Sequence, residues 1–384
     1  MTNSEYIKYI GVNDHTSDYF EGQYNIPNGM SYNSYLILDE KIAVIDTVDE
    51  AFTSQWLSQL ESELNGKKPD YLVIHHMECD HSGSIQSFLN TYPNTMLVGN
   101  AQTFSFLNTL FTLNKTPQTM LVKEKDILDL GKHKLEFLMA PMVHWPEVMM
   151  SYESSEHVLF SADAFGSFGA NDTPNDDWVE EARRYYFGIV GKFGLQVQSV
   201  FKKLESYPID MICSLHGPVL SENISYYLEK YNIWSKYEAE EDGICIAYTS
   251  VYGHTKEVVM MLVKALEDAN QKVAVYDLAR DDTSKALADA FRFNRTIFAT
   301  TTYNGSIFPP MHHFLIDLVE HGYQNRTVGF IENGTWGPTA TKCMMNILSP
   351  CKSLNFLEHN LTIKGCFKED NQSSLQELIK DITK

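Results

Sequence analysis

Four side chains able to hold a metal ion fall within six positions: His76, Glu78, Asp80 and His81, in the run Tyr71-Leu-Val-Ile-His-His-Met-Glu-Cys-Asp-His81. An apolar stretch at 71–74 precedes them, so they are released where a buried strand ends. On extended backbone alternate residues share a side, which aims His76, Glu78 and Asp80 together, and a turn brings His81 round to join them. Imidazole and carboxylate donors so spaced can seed two adjacent metal positions. Three further donors also follow apolar runs: His144 after 137–143, Asp163 after 157–162, and His216 after 209–215, just ahead of Gly217-Pro218. A carboxylate at Asp163 can span two metals held roughly 3.5–4 Å apart. A solvated polar loop would account for one such histidine, but not for the whole set. The other histidines take the plainer reading. His15, His133, His157, His321 and His359 stand alone in polar stretches, and His312-His313 lie in a helical pattern. His75 faces away from the cluster by strand parity, which leaves it a supporting role or none.

A second chemistry begins beyond Gly243. An apolar strand runs into Thr249-Ser-Val-Tyr-Gly-His-Thr255 and then directly into a helical pattern. Hydroxyls, a glycine and the free N–H groups of a helix N-terminus make an anion cradle. Neither the Gly-Lys-Ser/Thr order of a nucleoside-triphosphate loop nor Gly-x-Gly-x-x-Gly is present, so a mononucleotide with a single phosphate fits better than ATP or NAD. Two later loops, Thr300-Thr-Thr-Tyr-Asn-Gly-Ser306 and Glu332-Asn-Gly-Thr-Trp-Gly337, also follow strands. Ligands of open α/β sheets bind at that end. Tyr303 and Trp336 offer flat faces to a ring, although both residue types are also ordinary core aromatics.

The elements that must position these residues differ between the two halves. In the first, strand-like runs at 30–38 and 41–46, an amphipathic stretch at 51–64, and short strands near 71–74, 96–98, 135–139, 148–152, 158–160 and 211–214 suggest a layered α/β sandwich. From Gly243 strands and helices alternate regularly, as in a doubly wound parallel sheet. The charged run 229–242 reads as an end-helix and linker. At 384 residues the chain exceeds what one core usually supports. A formal charge of −20 argues against a nucleic-acid partner. No apolar run is long enough to span a membrane, and no signal peptide is expected. The cysteines Cys79, Cys213, Cys245, Cys343, Cys351 and Cys366 form no Cys-x-x-Cys pair. That excludes a zinc ribbon and suits a reducing, cytoplasmic setting.

The donor set resembles the metallo-β-lactamase fold and, more narrowly, the flavodiiron proteins. The usual hydrolase version of that fold carries His where this chain has Glu78. A carboxylate there adds charge and a harder oxygen, moving the preference from zinc towards iron or manganese. The resemblance implies one iron on His76, Glu78 and His144, another on Asp80, His81 and His216, and Asp163 bridging. The three later loops resemble flavodoxin. They imply FMN held by Ser250, Val251, Tyr252, Gly253, His254 and Thr255 at the phosphate, and by Thr302, Tyr303, Asn304, Gly305, Asn333, Gly334, Thr335 and Trp336 around the ring. The chain departs from the pattern at His254, where Asn is common, and at Thr301, where relatives often have Pro. The expected organisation is a metallo-β-lactamase-like αββα sandwich over 1–242 and a flavodoxin-like doubly wound parallel sheet over 243–384. By resemblance the activity is reduction of O2 to water and/or NO to N2O. FMN would relay electrons from an external donor such as rubredoxin or a flavin reductase, since no such module follows Lys384. A head-to-tail homodimer or a dimer of dimers is implied as well. The alternative is a zinc-dependent hydrolase of the same fold with a flavodoxin-like docking domain.

Overall fold

The computed structural model describes Thr2, residues 4–174 and residues 178–384. The chain divides into two compact units, Met1–Tyr186 with Leu195–Asn232, and Phe187–Gly194 with Ile233–Lys384.

The first unit is built on two sheets. One runs in the order Ile7–Tyr9, Tyr35–Ile37, Ala43–Ile45, Tyr71–Val73, Met96–Gly99 and Thr119–Leu121; the other in the order Ile127–Asp129, Lys134–Met139, Met149–Glu153, Val158–Phe160 and Met211–Cys213. Their apolar residues meet in one core, with Ile45, Val73 and Val98 from the first sheet and Phe137, Met149 and Phe160 from the second. Alternation along each strand supplies these inward faces. The helix Thr53–Leu64 buries Trp56, Leu60 and Leu64, spaced at i, i+4 and i+8, and ends where Asn65 turns left-handed at φ 46°.

The run at 30–38 reads as one strand in sequence, but it is two. Met30–Tyr32 pairs with Val12–Asp14 and Tyr35–Ile37 joins the first large sheet. Asn33, between them, bonds elsewhere. Its backbone N–H donates to Leu215 O at 2.8 Å, and its side-chain amide donates to Ser214 O at 2.9 Å and Gly217 O at 2.8 Å. The break therefore clamps the loop that carries His216. Asn33→Ala should leave the buried Gly217 carbonyl unpaired, while Tyr35 keeps its bond to Ser214 O, and cost about 2 kcal/mol, read as a lower thermal midpoint.

In the second unit a parallel sheet runs Val273–Asp277, Glu241–Tyr248, Phe293–Tyr303, Thr327–Asn333, with Asn355–Phe356 and Leu361–Ile363 both on the last of these. In chain order this is 2-1-3-4-5, the flavodoxin-like order, with its switch point beside the first strand. The helix His254–Asp268 covers the sheet with Val258, Val259, Leu262 and Leu266. Helices and strands elsewhere follow the expected alternation to within a few residues at their ends.

Candidate metal centre and ligand loops

Each donor of the first unit leaves the end of a strand. His76 follows Tyr71–Val73, and the short helix Cys79–Ser82 turns Asp80 and His81 towards it. His144 lies between Lys134–Met139 and Met149–Glu153, Asp163 just past Val158–Phe160, and His216 just past Met211–Cys213. All seven converge, in two groups whose ligand atoms lie within 4.8 Å of one another: His76, Glu78, His144 and Asp163, and Asp80, His81 and His216.

Asp163 faces both groups. Its Oδ2 is 3.0 Å from His144 Nε2 and 3.5 Å from His76 Nε2, while its Oδ1 is 3.2 Å from His81 Nε2. Glu78 Oε2 is 3.1 Å from His76 Nε2 and 3.0 Å from His144 Nε2. In the second group Asp80 Oδ2 is 3.3 Å from both His81 Nε2 and His216 Nε2, and those two nitrogens are 3.0 Å apart. Atoms about 2.1 Å from a shared ion stand near these separations from each other. Both oxygens of Asp80 and of Asp163 are buried without a hydrogen-bond partner. Orphaned acceptors of that kind are costly unless a cation meets them.

The electrostatics point the same way. Burial opposes protonation of His76, yet Asp163, Glu147 and Glu78 together hold its pKa well above the ordinary value. His144, also buried, is pushed up to about 9 by Asp163 and Glu78. Burial would raise the pKa of Asp163, but His76, His81 and His144 hold it well below the usual carboxylate range. The cluster is built to contain positive charge. The residues fit a pair of cations.

Several residues that support the site were not singled out from sequence. Glu147 is 1% exposed; its Oε1 accepts from His76 Nδ1 at 2.8 Å and from Met77 N–H at 2.9 Å. The backbone carbonyl of Ser31 lies 2.8 Å from His216 Nδ1. A carbonyl can only accept, so His216 carries its proton on Nδ1 and turns the Nε2 lone pair to the cluster. Glu147→Ala should lower metal affinity about 10- to 100-fold, measured by competition with a chromogenic chelator. Asp46 accepts from His75 N–H at 2.7 Å and from His75 Nδ1 at 2.7 Å, and His75 Nε2 reaches Ser151 Oγ at 2.9 Å. His75 thus faces away from the cluster and anchors the strand end. Tyr185, its hydroxyl buried without a hydrogen-bond partner, has its ring 5.4 Å from that of His216. Burial and then the charges of Asp163, Asp80 and Glu78 keep this phenol protonated. Glu21 stays partly open to solvent, yet partial burial and the charge of Glu78 raise its pKa.

In the second unit three loops at the carboxyl edge of the parallel strands enclose a cavity of about 510 Å³, a size suited to a small-molecule ligand. Every residue expected there lines it except Gly253, and Thr301, Gly337, Thr339 and Gly365 add to the wall. Gly253 has φ +94° with open space where a side chain would stand, and it caps the helix His254–Asp268. Only glycine adopts that turn without strain. Tyr252 is 89% exposed, Trp336 95% and Tyr303 42%, so none of the three is a core aromatic. Two expected contacts serve the wall itself. Asn333 exchanges hydrogen bonds with the backbone of Gly365 at 2.8 and 3.0 Å, and Thr302 Oγ1 accepts from Thr339 N–H at 2.9 Å.

The family model described as ODP family beta lactamase matches residues 30–217, the span that holds all seven donors. An anaerobic nitric oxide reductase flavorubredoxin of Aliivibrio fischeri is 30% identical over 344 residues, covering 86% of this chain and 68% of that protein. The chain belongs to the flavodiiron family. The flavorubredoxin of Vibrio vulnificus is 32% identical over 326 residues, 81% of this chain and 65% of its own length. This flavodiiron chain therefore spans about two thirds of the length of these curated relatives. In fold it matches the flavodiiron protein of Giardia intestinalis, with TM-score 0.92 and 23% identity over 99% of this chain and 95% of that one. It matches equally the rubredoxin oxygen:oxidoreductase of Desulfovibrio gigas, with TM-score 0.92 and 23% identity over 100% and 97%.

Proposed function

We propose that this flavodiiron protein reduces O2 to water and/or NO to N2O at a pair of iron ions, with FMN passing on electrons from an external donor. The observation that carries the reading is Asp163, whose two oxygens face two separate groups of metal-binding side chains. We assign His76, Glu78 and His144 to one ion, Asp80, His81 and His216 to the other, and Asp163 to both. The relatives named as nitric oxide reductase and as rubredoxin oxygen:oxidoreductase support both gases as substrates.

A reduced flavin and two ferrous ions together hold four electrons, enough to take one O2 to two waters, while two suffice for a pair of NO molecules to N2O and water. The chain's own residues supply the setting. Glu147 and the Ser31 carbonyl fix the two imidazoles they hold, so the donor geometry is set before a ligand arrives. Tyr185 keeps a proton on its phenol beside the cluster. In the second unit the N–H groups at the start of the 254–268 helix suit a phosphate, and Tyr252, Tyr303 and Trp336 suit the faces and rim of the ring.

We further infer a separate electron donor such as rubredoxin or a flavin reductase, a head-to-tail homodimer, and a cytoplasmic setting, with the two functions divided near residue 242. No helix among the described residues is long and apolar enough to cross a membrane. The deciding experiment mixes fully reduced protein with O2 and, separately, with NO, following flavin absorbance in a stopped-flow spectrometer. Fast reoxidation by either gas is expected. Slow reoxidation by both would sink the reading.

A further inference from the structure

The cavity of the second unit has a wall almost without charge. Among the described residues that line it there is no Lys, Arg, Asp or Glu, and the ionisable side chains are His254, Tyr252 and Tyr303. Glu332, at the end of its strand, accepts instead from Thr341 N–H and from Thr362 Oγ1, both at 2.9 Å. On the helix that begins at His254, Lys256 and Glu257 are exposed and neither lines the cavity. Lys364 and Lys368, near Gly365, are likewise exposed and outside the wall. Tyrosine hydroxyls stay neutral near pH 7. His254 is therefore the one wall residue able to carry positive charge there.

The first loop otherwise meets an anion with its backbone. Ser250 Oγ accepts from Gly253 N–H at 3.1 Å and from Lys256 N–H at 3.2 Å, which pins the turn. The N–H groups of Val251, Tyr252, His254 and Thr255 have no partner among the described residues. Such donors solvate an anion without neutralising it, and a phosphate monoester approaches two negative charges above about pH 6. We propose that His254 supplies the counter-charge to the flavin phosphate, so that FMN and a proton bind together. The proton passes from solvent to the unprotonated ring nitrogen, and no bond to the flavin forms. The inference rests on the FMN reading of this cavity. A nearby dianion favours imidazolium, so the gain in affinity is full at low pH and is lost as pH rises past the histidine range.

The test compares FMN affinity of the flavin-free full chain with that of His254→Asn, by flavin fluorescence at pH 6.5 and pH 8.5. Asparagine keeps a side-chain donor but has no charge to gain. The phosphate's own titration is common to both proteins and cancels in their ratio. The variant is expected to bind FMN about fivefold more weakly at pH 6.5 and nearly as well as wild type at pH 8.5. That pattern corresponds to a one-unit change in the proton affinity of the imidazole. Riboflavin, which has the ring without the phosphate, should bind both proteins alike at either pH. Calorimetry of the wild type at pH 7, in two buffers of different ionisation enthalpy, should show net proton uptake with FMN and none with riboflavin. A ratio that does not change with pH, net proton release with FMN, or riboflavin weakened as much as FMN overturns the proposal and leaves the FMN reading standing. A wild type that binds no FMN at either pH removes both.

Discussion

Asp163→Asn is expected to strip the chain of its paired metals, lowering bound metal from about two per chain to one or none and gas turnover by at least about 100-fold. Asparagine keeps the shape and removes the charge. Oδ2 of Asp163 now lies 3.0 Å from His144 and Oδ1 3.2 Å from His81, one oxygen towards each group. An amide presents one oxygen and an NH2 group that only donates, so one of the two groups loses its acceptor and meets a hydrogen instead. The residue is 1% exposed, and solvent cannot supply a replacement ligand. Metal analysis of anaerobically purified variant and wild type measures the loss. Full retention of two ions would show that Asp163 does not bridge. Thermal unfolding should be followed in parallel, because a buried carboxylate among histidines also contributes to folding.

Trp336→Ala is expected to weaken FMN binding about 10- to 100-fold, the usual effect of losing one aromatic stacking partner. Trp336 is 95% exposed, so the fold does not depend on its side chain. Truncating an exposed side chain away from any contact normally changes stability by less than about 0.5 kcal/mol. The unfolding midpoint of the flavin-free protein should therefore stay in place while flavin affinity falls. Flavin fluorescence, quenched on binding, gives the dissociation constant. Unchanged affinity would mean that the indole does not lie on the ring.

The convergence of the seven candidate donors was legible because histidines and acidic residues directly after apolar strand runs have few structural uses. Asp163 and His216 lie far apart in the chain, yet each stands at a strand end, and parallel pairing of Val158–Phe160 with Met211–Cys213 places those ends side by side. The ligand loops were readable for the same reason, since parallel strands end at one edge. Glu147 was not, because a lone glutamate after His144-Trp-Pro carries no sign of its burial or of its bond to His76. Gly365 was missed because its strand is only Leu361–Ile363 and its loop holds no residue of chemical interest. The split of the run at 30–38 was hidden by an unbroken apolar pattern. Only Asn33, whose partners lie at Ser214 and Gly217, shows that the backbone must turn there. The short strands Val12–Asp14 and Tyr19–Phe20 hold too few residues to display a period of two.

The strand Met211–Cys213 has one more consequence, and it concerns timing. It pairs with Val158–Phe160 and delivers His216, the last of the donors. A chain emerging from the ribosome can present His76, Glu78, Asp80 and His81 early, but they alone form an open, incomplete set. His144 and Asp163 arrive with the second sheet, and the second metal group stays short of one ligand until residues near 216 have left the exit tunnel. Contacts of such sequence separation form slowly. A metal held by the second group would therefore find its full ligand set only once Met211–Cys213 has paired with Val158–Phe160.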